Sequence, residues 1–324
     1  MREIYVLENE AGQRLDKLLH KYLDLAPKSF IYKMLRKKNI VLNGKKAVGN
    51  EKLEQGDLIK LFLANQTIDQ FTKEKTEYAS TALDIIYEDE QVLLINKPIG
   101  MLSQKAKPSD TSLAEYVIGY LLESGQITEE QLKSFRPSIC NRLDRNTSGL
   151  VVVGKSLYAL QYFGEMFRER KIGKYYRCIV EGQIIKGQRI QGYLNKNRST
   201  NKVYISEQLK EGSSYIETEY TPLLWGEDST LLEVHLITGR PHQIRAHLAS
   251  IGHGIIGDYK YGNAVFNAHY RQKYGIDSQL LHAYRLQIEA WEGRMSGVAR
   301  REFIAPLPKA WDKVLEEMEE QEGR

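Results

Sequence analysis

The sequence predicts an α+β protein, with a small α+β unit followed by a larger domain built on a mixed, largely antiparallel sheet. Three observations lead there. The chain has 324 residues, which at roughly 100 to 200 residues per domain suggests two units. Near its start, Leu15, Leu18, Leu19 and Tyr22 recur at helical spacing. Beyond about residue 82, short apolar strands follow one another closely, a pattern that favours antiparallel neighbours over long crossovers.

The first unit is assigned to residues 1–62. Its helix through Leu15 to Tyr22 is followed by a second carrying Ile31, Met34 and Leu35. Strand Ile40 to Leu42 turns at Asn43-Gly44, and strand Leu58 to Leu63 follows the Gln55-Gly56-Asp57 turn, where glycine supplies the positive φ such turns need. Ala64 to Ser80 is polar and without apolar period, so residues 63–81 read as a linker.

The large domain is assigned to residues 82–312. Strands are expected at Asp84–Tyr87, Val92–Ile95, Leu150–Val153, Lys174–Glu181, Lys202–Ser206, Ser214–Leu224, Leu231–Ile237 and Leu281–Ile288. Capping boxes open helices at Ser112-x-x-Glu115 and Thr128-x-x-Gln131, and Leu157 to Phe167 has helical spacing. Residues 313–324 form an acidic C-terminal tail, read as either a short exposed helix or a frayed end.

A net charge of +4 is only mildly basic, so the whole chain does not announce a polyanion partner. Its distribution is more informative. From Lys17 to Lys46 the chain carries Lys17, Lys21, Lys28, Lys33, Arg36, Lys37, Lys38, Lys45 and Lys46 against Asp24. Two cysteines, Cys140 and Cys178, make neither a disulfide framework nor a metal-binding spacing, which suits a reducing compartment. The start Met-Arg-Glu-Ile-Tyr has no leader pattern, and no window reaches the roughly 18 apolar residues of a membrane span, so a cytoplasmic protein is expected.

Gly149-Leu-Val-Val-Val-Gly154-Lys155-Ser156 matches the phosphate-loop pattern by letter. A phosphate loop needs a strand before its first glycine and a pliable loop after it. Here the β-branched apolar run lies between the glycines and Asp-Arg-Asn-Thr-Ser precedes them, so nucleotide hydrolysis is set aside.

Three other segments place polar residues at the ends of apolar strands, where sites are built. In Asn141-Arg-Leu-Asp-Arg-Asn-Thr-Ser-Gly149, Asp144 is flanked by Arg142 and Arg145, and a nearby guanidinium would keep a carboxylate ionised as nucleophile or base. The plainer reading is an Asx turn. In Thr238-Gly-Arg-Pro-His-Gln-Ile-Arg-Ala-His-Leu248, Pro241 suits a first helical turn and Arg245 would lie one turn inside. His242 and His247, five apart, do not share a helical face, so they read as hydrogen-bonded within the fold and no metal site is expected. In Lys174 to Gly182, alternation puts Tyr176, Cys178 and Val180 on one face, making Tyr176 a core aromatic or a platform for a base.

Together these segments resemble the RluA-type pseudouridine synthase family, whose signature runs R-L-D-x-x-T-S-G, then K-x-Y, then T-G-R-x-H-Q-I-R. Asn96-Lys-Pro-Ile-Gly100, Gly257-Asp-Tyr-Lys-Tyr-Gly262 and Leu281-His-Ala-Tyr-Arg-Leu286 extend the likeness over roughly residues 84 to 290. Arg14-Leu-Asp-Lys-Leu, Pro27 to Arg36 and Val41 to Lys45 resemble an S4-type RNA-binding domain. One departure is Asn141, where the family commonly has His, which touches the hydrogen bonding around Asp144.

The resemblance implies a pseudouridine synthase fold and a uridine flipped out of structured RNA. It implies Asp144 as the essential carboxylate, with Arg245 as ion-pair partner, Tyr176 stacked on uracil and assisting the final proton removal from its C5, Leu281 in the pocket wall and Arg142 in support. Whether Asp144 attacks the sugar, attacks the base or takes a sugar proton stays open. Lys28, Ser29, Tyr32, Arg36, Lys37 and Lys45 would form an RNA-binding patch on the first unit, the alternative being a solvated helix face. An isomerisation needs no cofactor and no metal, and the expected state is a monomer. Large-subunit ribosomal RNA is the first substrate reading and transfer RNA the second, with a catalytically inactive RNA-binding or ribosome-assembly protein as the competing class.

Overall fold

The computed structural model describes residues 1–72, 78–197, 202–289, 295 and 297–322. The N-terminal unit contains β1 (Arg2–Tyr5), α1 (Leu15–Tyr22), α2 (Lys28–Arg36), β2 (Ile40–Leu42), β3 (Lys45–Lys46), β4 (Leu58–Leu61) and α3 (Asn65–Gln70). Its strands form one sheet in the order β1-β4-β2-β3. Leu15, Leu18, Leu19, Ile31, Leu35, Ile40, Ile59 and Leu61 meet in one buried cluster, so the helical and strand periods read from sequence face the same core.

The predicted linker needs correcting. Its first half is α3, whose Ile68 is fully buried in that core, and Phe71 packs against Phe30 at 4.5 Å between ring centroids. One apolar residue in a polar hexapeptide shows no period, so only packing reveals the helix. Residues 73–77 of the predicted linker lie outside the described residues.

The second unit contains β5 (Ile85–Glu88), β6 (Val92–Lys97), α4 (Leu113–Glu123), α5 (Glu129–Leu132), β7 (Ser138–Ile139), β8 (Ser148–Gly154), α6 (Leu157–Arg168), β9 (Ile172–Glu181), β10 (Gln188–Lys196), β11 (Val203–Ser206), β12 (Ser214–Trp225), β13 (Ser229–Leu236), α7 (Gln243–Ser250), α8 (Ala264–Tyr274), β14 (Leu281–Ile288), β15 (Glu302–Ile304) and α9 (Asp312–Glu322). Its main sheet runs β11-β10-β12-β13-β9-β14-β8-β6-β5, with β15 on β14 and β7 on β8. Every described pairing in it is antiparallel except β14 with β8, so the sheet is mixed and largely antiparallel as expected. Among the described residues no helix is long and apolar enough to cross a membrane.

Besides β7, α8 and β15, which the sequence does not single out, two features differ from expectation. Strand β10 reads Gln-Arg-Ile-Gln-Gly-Tyr-Leu-Asn-Lys, too polar to be picked out, yet Ile190, Gly192 and Leu194 are buried on one face. The acidic tail takes the helical alternative over its described length and is exposed along most of it, but not on every face. It is α9, which buries Val314 and Met318 beside Trp311 and Tyr270 and leaves its glutamates on the outer face.

The phosphate-loop lookalike is settled by backbone. Residues 148–154 are β8, buried throughout, Lys155 pairs with Glu88 at 3.0 Å, and the Ser156 hydroxyl caps α6 by accepting from the Ala159 N–H at 3.1 Å. The two units meet through Glu10 and the Ser134 hydroxyl, which share a short buried hydrogen bond, and through Tyr22 and Glu130 at 3.3 Å.

Candidate active site

The Asp144 turn is built by the residues that follow it. The Thr147 N–H donates to the Asp144 carbonyl at 3.0 Å, closing the turn, and Gln279 donates to the Thr147 hydroxyl at 3.0 Å. Ser148 bonds Nδ1 of buried His282 at 2.8 Å. Gly149 has φ +109°, and a Cβ there would lie 2.2 Å from the Ala283 carbonyl oxygen. Only glycine allows β8 to approach β14 so closely. The Thr-Ser-Gly run thus bolts the turn to β14.

Behind it, Lys97 is fully buried at the end of β6. Its ammonium donates to the carbonyls of Pro98 and Met101 at 2.9 Å and of Arg145 at 3.2 Å, tying two loops together. Burial lowers its pKa to about 8, although Asp144 pulls the other way. The Ser103 hydroxyl donates to the Leu143 carbonyl at 2.9 Å and accepts from the Leu143 N–H at 3.1 Å.

The opposite wall starts from Gln243, which is buried and saturated. Its amide nitrogen donates to the Glu217 carbonyl and Thr218 hydroxyl, while its oxygen accepts from Thr238 and the Arg240 N–H. That lattice fixes the start of α7, which is capped by His242 rather than begun at Pro241. Arg245 is the third residue of the helix and points back across the cleft.

Arg245 Nη1 donates to Asp144 Oδ2 at 2.7 Å, while its Nε and Nη2 donate to Asp258 at 2.7 and 2.9 Å. Asp258 is fully buried and also accepts from the Lys260 and Tyr261 N–H groups. Burial alone would raise the Asp258 carboxyl and lower the Arg245 guanidinium. The bidentate pair outweighs it in both, so Asp258 is held low and Arg245 high. The expectation that Arg142 or Arg145 faces Asp144 fails, because Arg142 reaches Gln104 at 3.4 Å and Arg145 donates to the Gly100 carbonyl at 3.0 Å. Sequence neighbours in a turn splay apart, and the partner comes from 101 positions away.

Between these walls lies a cleft of about 820 Å³ lined by Asp144, Arg142, Tyr176, Leu281, Arg245, His242 and Lys174 among others. Tyr176, on β9, is buried, and burial followed by the Asp144 charge raises its phenol pKa. Lys174, two residues earlier on that strand, is lowered to about 8 by burial and then by Arg170. Asn141 spends its amide on β8, donating to the Leu150 carbonyl at 3.1 Å and accepting from the Val152 N–H at 2.8 Å.

His242, Lys97, Lys174, Asp258 and Tyr261 were not singled out as site residues from the sequence. The signals were a lysine closing an all-apolar strand and a Gly-Asp-Tyr-Lys-Tyr-Gly run whose residues have no obvious partner. Lys28, Ser29, Tyr32, Arg36, Lys37 and Lys45 are exposed on the N-terminal unit and none lines the cleft. Tyr32 also donates to Asp16 at 2.8 Å, which Arg14 grips at 2.7 Å.

A carboxylate gripped by a buried guanidinium thus lines a cleft with room for a nucleotide, on a largely antiparallel sheet. Residues 91–250 match the RNA pseudouridylate synthase family. Ribosomal large subunit pseudouridine synthase C of Vibrio parahaemolyticus is 32% identical over 321 residues, covering 95% of this chain and 93% of that protein. The protein of that name from Escherichia coli K12 is 32% identical over 296 residues, 88% of this chain and 87% of that one. The solved structure of human RNA pseudouridylate synthase domain containing 4 shares the fold, with a TM-score of 0.58 at 20% identity over 72% of this chain and 92% of that one. The chain belongs to the RluA-type RNA pseudouridine synthases, enzymes that isomerise uridine to pseudouridine.

Proposed function

We propose that the chain makes pseudouridine in large-subunit ribosomal RNA, with Asp144 as the essential carboxylate. The observation that carries the assignment is the 2.7 Å contact between Asp144 and Arg245 inside a cleft walled by Tyr176 and Leu281. The relatives' names support the substrate class.

In the reaction the bond from ribose C1′ to uracil N1 breaks and a bond from C1′ to C5 forms. C5 gives up its proton and N1 gains one, so atoms balance with no net transfer. The base must detach, turn and be held meanwhile, which calls for a flipped nucleotide in a walled pocket. Arg245, anchored by Asp258, aims Asp144 at that nucleotide. Tyr176 stacks on the uracil; its raised pKa disfavours a phenolate and so a role as general base. Leu281 closes the apolar wall and Arg142, exposed at the rim, meets the RNA backbone.

The N-terminal unit acts as an S4-type RNA-binding domain, its patch formed by Lys28, Ser29, Tyr32, Arg36, Lys37 and Lys45. The setting is the cytoplasm and the enzyme acts as a monomer. Mapping pseudouridines in ribosomal and transfer RNA from cells with and without the protein, alongside Asp144→Asn, tests the substrate and the role of Asp144. The expected result is loss of specific ribosomal sites and no rescue by Asp144→Asn. Rescue by that variant removes Asp144 from its role, and loss confined to transfer RNA moves the substrate there.

A further inference from the structure

The His242 ring sits beside the reacting carboxylate, held at one nitrogen and free to engage at the other. Nδ1 lies 2.8 Å from the Tyr261 hydroxyl, and that hydroxyl accepts the Val203 N–H at 3.0 Å. Nε2 lies 3.9 Å from Asp144 Oδ2, the same oxygen that Arg245 Nη1 reaches at 2.7 Å. His242 achieves this from a left-handed backbone, φ +58° and ψ +15°, which a non-glycine residue adopts at a cost. Without that twist α7 would begin in another direction.

We infer that His242 is a positioning residue for Asp144: its Nε2–H is aimed at the carboxylate by the Tyr261 hydroxyl and takes hold of it when the ion pair with Arg245 loosens around the flipped nucleotide. The donor count favours this tautomer. Tyr261 accepts a backbone N–H, which leaves its own proton to give to Nδ1, and the imidazole proton then sits on Nε2. The groups facing the ring are Asp144, Arg245, Asp258, Lys260 and Tyr261. Burial, with Arg245 and Lys260, lowers the ring's pKa against the pull of the two carboxylates, which favours a neutral donor over a second cation. The arrangement also ties catalysis to the β10–β11 hairpin, because the Val203 N–H belongs to that hairpin.

The inference rests on the reading of Asp144. Two substitutions separate it from a merely structural role, because glutamine places an N–H donor where Nε2 stands, while asparagine tolerates the left-handed backbone but stops short of the carboxylate. Single-turnover pseudouridine formation on saturating RNA is measured for wild type, His242→Asn, His242→Gln, Tyr261→Phe and Asp144→Asn, with thermal melts and RNA Kd for each. Tyr261→Phe keeps the ring 5.2 Å from the Arg245 guanidinium carbon and removes only the hydroxyl. The expected result is a rate lowered about tenfold or more in His242→Asn, recovered in large part by His242→Gln, intermediate in Tyr261→Phe, and Kd within about threefold throughout. A fast His242→Asn beside a dead Asp144→Asn overturns the inference alone. A fast His242→Asn with a slow, low-melting His242→Gln assigns the residue to backbone shape and overturns it too. An active Asp144→Asn overturns the reading beneath it.

Discussion

The charge relay from Asp258 through Arg245 to Asp144 makes a quantitative prediction about Asp258→Asn. The side chain is fully buried, and its two oxygens hold Arg245 at 2.7 and 2.9 Å. Two unit charges about 4 Å apart at an effective dielectric of about 20 attract by roughly 4 kcal/mol. Removing one partner of such a pair strands the other charge, typically at about 3 to 5 kcal/mol. Asparagine keeps one acceptor but turns an amide N–H towards a guanidinium N–H, and Asp144 stays in place, so a loss of about 3 kcal/mol is expected. At about 2 to 4 °C per kcal/mol for a unit of this size, Tm should fall by about 6 to 12 °C. Calorimetry reads the melt, and single-turnover pseudouridine formation should fall at least about tenfold as Arg245 loses its aim. The double variant Arg245→Met with Asp258→Leu removes the stranded charge but leaves the Lys260 and Tyr261 N–H groups without their acceptor, so it should recover stability only in part, and not activity. A melt for Asp258→Asn within about 1 °C of wild type, with full activity, refutes the reasoning.

Two further outcomes follow from the same structure. His247 and His282 are buried with pKa values lowered to about 4 by desolvation, against an ordinary 6.5. Between those values the unfolded chain binds more protons, so stability is intact above about pH 6.5 and declines as pH falls towards 4, by up to about 3 kcal/mol for each ring. Urea midpoints at pH 7, 5.5 and 4.5 check this, and a flat series contradicts it. Replacing Lys28, Arg36 and Lys37 by alanine should weaken RNA binding at every sequence and lower the salt slope by about 2, at about 0.7 per lost contact with single strands. An unchanged slope would take those side chains off the RNA.

Much of the fold was written locally. Leu15, Leu18, Leu19 and Tyr22 dictate a helix by spacing, and the short β-branched runs Val92 to Ile95 and Leu150 to Val153 favour the buried strands they form. Ser112 with Glu115 and Thr128 with Gln131 cap the helices their spacing announces. Segments whose order depends on a neighbour were not legible. A polar hexapeptide became α3 because a distant core had room for Ile68, and an acidic tail became α9 because Trp311 and Tyr270 offered Val314 and Met318 a surface.

The site divides in the same way. Residue types in Asn141 to Gly149 and Thr238 to Leu248 determine by themselves which side chains carry charge and that a carboxylate and an arginine are available. Pairing is a through-space matter. Arg142 and Arg145 adjoin Asp144 in sequence yet turn away, while Arg245 arrives from 101 positions off, steered by a saturated Gln243 and a buried Asp258. A backbone turn sends adjacent side chains in different directions, and electrostatic energy depends on distance and burial rather than on chain separation. Residue chemistry alone left Arg142, Arg145 and Arg245 open, the family resemblance pointed to Arg245, and tertiary structure shows that pair at 2.7 Å with the His242 imidazole beside it.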